Sequence, residues 1–82
     1  MLVTEIVPVT MSDSPTISIQ FNGQSLQVPE TCTVSRLLEI AEIRSQLVAV
    51  EINLSIIPRA EHSNIFLKEG DVVEAVTLVG GG

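Results

Sequence analysis

The sequence contains no tryptophan and no tyrosine, and its aromatic content is two phenylalanines, Phe21 and Phe66. Side chains on which nucleic-acid bases stack are therefore scarce. Positive charge is equally thin: four lysines and arginines stand against ten acidic residues, and the net charge of −6 repels a phosphate backbone instead of releasing its counterions. Nucleic acid is thus not expected as a partner. The acidic surface favours partners with basic or apolar docking sites, solubility being its plainer use. A single cysteine, Cys32, permits no intramolecular disulfide, and with a single histidine, His62, it cannot build a metal site. No apolar run approaches the ~20 residues that span a bilayer, and the opening "MLVTEIVPVT" lacks the basic start of a secretory signal. A cytoplasmic protein without membrane contact is expected.

What is present fits one small domain. A chain of 82 residues buries only ~60% of the surface its unfolded form exposes, so its core is single and packed from Val, Ile and Leu. The polar stretch "MSDSPT" at 11–16 separates "LVTEIVPVT" from a regular pattern beginning at Thr16. Residues 1–15 read as a flexible appendage, 16–79 as the domain and 80–82 as a tail. The appendage is accounted for by initiation at Met11 instead of Met1, or by an extra edge strand limited by Pro8.

From Thr16, Ile17, Ile19 and Phe21 alternate with Ser18 and Gln20, and after Asn22-Gly23 Leu26 and Val28 alternate with Ser25 and Gln27. Two period-2 runs around Asn-Gly predict a β-hairpin, because both turn residues tolerate positive φ. Next, Val34, Leu37, Leu38 and Ala41 fall at i, i+3, i+4 and i+7, with Arg36, Glu39 and Glu42 opposite. That spacing predicts an amphipathic helix of about three turns, capped by Thr31 or Thr33. "LVAVEI" at 47–52 reads as a strand with Val48, Val50 and Ile52 on one face; "NLS" turns the chain, and "IIP" is a short strand that Pro58 confines to an edge. "RAEHSN" is polar loop or one helical turn, and Gly70 leads into a last strand, "VVEAVTLV". The order β-β-α-β-β-β, with one helix to cover one sheet face, predicts an α+β domain. It matches the β-grasp, or ubiquitin-like, architecture: a mixed sheet of four to five strands in which the last strand lies centrally and parallel to the first.

Catalytic groups are wanting. There is no Ser/His/Asp arrangement, no Gly-rich phosphate loop and no cofactor fingerprint. His62 reads as a surface histidine beside Glu61, and Cys32 as a small residue packed at the helix start, although a helix start also lowers thiol pKa values. The remaining reactive group is the carboxylate of Gly82. Three extended residues reach only ~10 Å, but Gly80, Gly81 and Gly82 carry no side chains, and such a thread passes through channels that stop a branched residue. A frayed terminus or linker remnant is the plainer account of three glycines. An ionised carboxylate is a poor electrophile, so acyl chemistry at Gly82 requires activation, for which ATP-dependent adenylation is the obvious route.

The segments "FNGQ" (21–24), "TVSRLLE" (33–39), "VAVEINLSIIPR" (48–59) and "LKEGDVVEAV" (67–76), with the terminal "GGG", resemble the sulfur carrier protein of thiamine biosynthesis, a bacterial ubiquitin-like family. The resemblance covers about residues 16–82. It implies a protein that is not an enzyme and binds no cofactor itself. A partner activating enzyme uses ATP and Mg²⁺ to adenylate Gly82, a cysteine desulfurase route supplies sulfur to give a thiocarboxylate, and thiazole synthase consumes it. In this scheme Gly82 carries the sulfur, Gly81 completes the Gly-Gly end and Gly80 lengthens the thread. The sulfur carrier subunit of molybdopterin synthase and a non-reactive ubiquitin-like interaction module are the alternatives. Asn53 and Arg59 match the motif; Asn53 most simply begins a turn, and Arg59 either pairs with a surface carboxylate or docks the partner. If Val73, Ala75, Thr77 and Val79 face the helix, Val76 and Leu78 share the other face with Glu74, beside Leu47 and Ala49. They then form a docking patch, unless a bulge buries Val76 and Leu78.

Overall fold

The computed structural model describes residues 15–78, and the expected appendage (except Pro15), Val79 and the three tail glycines lie outside them. The alternation around Asn-Gly produces β1 (Thr16–Phe21) and β2 (Gln24–Pro29), paired antiparallel from Thr16↔Pro29 to Phe21↔Gln24. Asn22 (φ 51°) and Gly23 (φ 86°) both adopt left-handed conformations, the geometry that matches a hairpin turn to the twist of its strands. The Pro15 carbonyl accepts from the Glu30 amide at 3.0 Å, which extends the hairpin by one bond.

The helix, α1 (Val34–Ile40), starts at Thr33, whose hydroxyl accepts from the Arg36 amide at 3.1 Å. Thr33 is therefore the cap. The helix has seven residues, two turns instead of the expected three. Glu42 turns left-handed (φ 61°); its amide reaches the Glu39 carbonyl at 3.0 Å, and the Ile43 amide reaches that of Leu38 at 2.8 Å. This pair of bonds is a Schellman termination, usually built on glycine. Ala41, expected to be the helix's last apolar contact, is its C-cap.

After a 3-10 turn at Ser45–Leu47 come β3 (Val48–Ile52) and β4 (Ser55–Ile57), joined by Asn53 and Leu54, both at positive φ. A second 3-10 turn (Arg59–Glu61) and a loop lead to β5 (Val72–Thr77). The five strands lie in the order β2-β1-β5-β3-β4, with β5 parallel to β1 and antiparallel to β3. The last strand is central, as the β-grasp architecture requires. One sheet face carries Ile19, Val28, Val50, Ile52 and Val73 against Val34, Leu37 and Leu38 of α1, with Cys32, Val48 and Leu67 completing the core. Among the described residues no helix is long and apolar enough to cross a membrane.

Candidate functional site

The sheet face turned away from α1 divides into two regions. On β1 and β2 it presents Ser18, Gln20, Ser25 and Gln27, the polar half of the alternation. On β5, β3 and β4 the alternation instead turns apolar side chains outward. Val76 and Leu78 are 50% and 64% exposed, Leu47 39% and Ile56 68%, while Ala49 is half-buried. Register brings them together: Ala49 pairs with Val76, and the Leu78 amide donates to the Leu47 carbonyl at 2.8 Å. The β3–β5 ladder runs unbroken from Val48↔Thr77 to Ile52↔Val73, so no bulge buries Val76 or Leu78. Val73 is buried and Ala75 half-buried on the helix side as expected, whereas Thr77, expected there too, is exposed.

Beside this patch the pairing of β4 with β3 ends at Val50↔Ile57, and the chain leaves the sheet at Pro58. The gap is a cleft of about 460 Å³ lined by Ser45, Gln46, Val48, Ala49, Ile56, Ile57, Pro58, Arg59, His62 and Leu78. Arg59 is exposed and makes no ion pair among the described residues, where the one salt bridge joins Arg36 to Glu39. The simpler reading of Arg59 as half of a surface pair finds no partner among the described residues. Nor is His62 a surface residue, for it is 3% exposed. The turn at Arg59–Glu61 rolls it inward, where its Nε2 lies 3.2 Å from the Ile57 carbonyl and its backbone carbonyl accepts from the Ser35 amide at 2.9 Å. A carbonyl can only accept, so Nε2 is the donor to Ile57, and the buried Nδ1 has no partner among the described residues. Its polar sequence neighbours, Glu61, Ser63 and Asn64, conceal this role.

Asn53 begins the expected turn and also ties it to β5. Its Oδ1 accepts from the Val72 amide at 3.0 Å, and its Nδ2 donates to Asp71 Oδ1 at 3.1 Å. Cys32 is 1% exposed, and its thiol donates to the Thr33 carbonyl at 3.4 Å. Burial pushes the thiol pKa up, with the Arg36 charge opposing, so the helix start does not activate it and packing is its role. The patch thus comprises four of the five sequence-expected positions, Leu47, Ala49, Val76 and Leu78, with Arg59 set apart on the cleft wall. Ile56 is an addition: "IIP" indicates an edge strand, but only register shows which isoleucine faces outward. The expected carrier residues Gly80, Gly81 and Gly82 lie outside the described residues.

The family model described as ThiS family matches residues 17–82. The chain is 34% identical over 65 residues to the sulfur carrier protein ThiS of Bacillus subtilis, covering 78% of this chain and 98% of that one. It is 33% identical over 66 residues to the thiazole synthase of Paramagnetospirillum magneticum, which covers 80% of this chain but only 20% of that protein. The crystal structure of a thiamine biosynthesis protein (ThiS) from Geobacter metallireducens superposes with a TM-score of 0.71 at 29% identity, covering 80% of this chain and all of that one.

Proposed function

The chain belongs to the ThiS family, and on that premise we propose that it is a sulfur carrier for the thiazole ring of thiamine, with the Gly82 carboxylate as its working group. A partner activating enzyme uses ATP and Mg²⁺: a Gly82 carboxylate oxygen attacks the α-phosphorus, pyrophosphate leaves, and the tail becomes an acyl adenylate. Persulfide sulfur from a cysteine desulfurase route attacks the acyl carbon and AMP departs, giving an acyl disulfide; thiols then reduce its S–S bond, releasing the persulfide donor's thiol and leaving a thiocarboxylate that thiazole synthase consumes. The chain supplies no catalytic group to these steps; it is the substrate of its partners, which work where cytoplasmic ATP is available.

The observation that carries this reading is the family match through the terminal glycines, on a domain whose central strand, β5, is the last element before them in sequence. The Bacillus relative's name supports the carrier role. The synthase with a segment similar to this chain supports thiazole synthase as the receiver. The exposed patch at the base of the tail, Val76, Leu78, Leu47, Ala49 and the neighbouring Ile56, is the docking surface, with Arg59 at its margin. Gly81 and Gly80 thread the carboxylate into active sites too narrow for side chains.

Incubation of the full chain with ATP, Mg²⁺, the thiamine-pathway activating enzyme and a sulfur donor tests the proposal by intact mass. An oxygen-to-sulfur increase that disappears when Gly82 is deleted is expected. No increase, or one that survives the deletion, refutes it.

A further inference from the structure

We propose that the cleft where β4 ends is the seat of the chain's own tail, residues 79–82, with the Gly82 carboxylate held on Arg59. The proposal rests on the carrier reading above for its purpose, while its test needs no partner. Leu78, four residues before the chain's last glycine, lines the cleft, and so does Arg59. β3 runs between them. The Leu78 amide donates to the Leu47 carbonyl from the β5 side, and β4, followed by Pro58 and Arg59, lies on the other. Two strand spacings amount to ~9.4–9.8 Å. Four extended residues reach ~13–14 Å, so the carboxylate can meet the guanidinium without unpairing β5.

The cleft suits this occupant in three ways. Its backbone edge is open: β4 pairs with β3 at Val50, Glu51 and Ile52, so Val48 and Ala49 have no β4 partner on that side. An extended thread can join such an edge through main-chain bonds, and residues without side chains approach it most closely. Its charge is complementary. Arg59 makes no ion pair among the described residues, although acidic residues outnumber basic ones ten to four, and a terminal carboxylate matches the planar fork of a guanidinium. Its wall also includes His62, 3% exposed, whose Nδ1 acceptor has no donor among the described residues. Buried polar atoms are rarely left so, and the amide of a tail glycine supplies the missing donor. Carboxylate and thiocarboxylate are both anionic and both suit Arg59. The seat therefore keeps the loaded end on the domain between partners, and a partner must displace it to take the sulfur.

Amide nitrogen relaxation, measured by NMR on the full chain alone, reads the tail directly. Order parameters of Gly80, Gly81 and Gly82 are expected above ~0.6, the flexible limit, and should fall below it in Arg59→Gln. Lys68→Gln removes an exposed cation outside the cleft and should leave them unchanged. A tail below that limit in the parent, or an equal loss in both variants, overturns the inference. Carboxypeptidase gives a second reading: it should release Gly82 about fivefold faster from Arg59→Gln, as expected if roughly four-fifths of parent tails are seated. Equal release overturns the seat as well. Arg59 is exposed, so Arg59→Gln should melt with the parent. A seated tail on a chain that gains no sulfur sinks the carrier reading alone; a mobile tail on a chain that gains sulfur sinks the seat alone.

Discussion

The two hairpins turn on the same backbone and part company in everything else. Asn22-Gly23 and Asn53-Leu54 both place two residues at positive φ, 51° and 86° in the first, 51° and 74° in the second. The first joins strands paired over six positions and is polar on its outer face. The second joins strands paired over three, puts a leucine at the glycine position with 87% exposure, and turns Ile56 outward. Each asparagine also caps the strand between the hairpins: Asn22 Oδ1 accepts from the Ala75 amide at 2.9 Å, and Asn53 Oδ1 from Val72. The first hairpin follows the rules of stability throughout, while the second departs from them beside the exposed apolar patch. Local violations concentrated in one region are the expected mark of a surface shaped by a partner.

The most direct way to break the contrast is to make the second region resemble the first. Val76→Asp puts a charge in the patch without entering the core. It should cut the adenylation rate about 100-fold, the size of an interface hot spot, while the urea midpoint changes little; a rate within a few-fold of the parent would deny the patch its role. Removal of the asparagine ties comes next. Asn53→Ala loses two side-chain bonds and a residue suited to positive φ, and should cost about 2 kcal/mol. Asn22→Ala, which loses one such bond and the same suitability for positive φ, should cost about 1 kcal/mol less than Asn53→Ala. The reverse order in urea melts would show that the second turn is not the more dependent on its side chain.

Exchange of the turn residues sharpens the comparison. Leu54→Gly should stabilise by about 1 kcal/mol and Gly23→Leu destabilise by a similar amount. A Cβ at Gly23 meets nothing within 4 Å, so backbone strain at φ 86° dominates the penalty. Unchanged melting of both variants would remove strain as the difference between the hairpins. The smallest effect is alkaline. Since burial raises the Cys32 pKa, the folded thiol keeps its proton at pH values where the unfolded thiol releases it. Stability from this group is therefore complete below the unfolded pKa and lost as pH rises through the folded one. Cys32→Ala should melt with a shallower alkaline decline than the parent, and identical slopes would contradict the buried placement.

The sequence carried the features that are periodic or tied to residue type. Alternation about Asn22-Gly23 located the first hairpin, the 3.6-residue spacing of Val34, Leu37 and Leu38 found the buried helix face, and the apolar alternation of β5 gave its two sides. Features set by tertiary contact were not legible. The helix ends at Ile40, with Glu42 turning left-handed and Ile43 packing against the core, and no glycine announces the stop. His62 is buried by a turn of the chain, in a segment whose composition is polar throughout. The pairing of Glu51 with Glu74 across β3 and β5 and the outward aim of Ile56 exist only once register is fixed, and register depends on residues far apart in the chain.

The central place of β5 has a mechanical consequence. On the proposed carrier function, a partner that draws on the residues after β5 loads the end of that strand. β5 is flanked by β1 on one side and β3 on the other, so the tension loads both ladders in shear, with many bonds sharing the force. A terminal strand at the sheet edge would also stretch its neighbours on one side only. On that proposed function, the domain would serve as a fixed peg while a partner draws on the glycines.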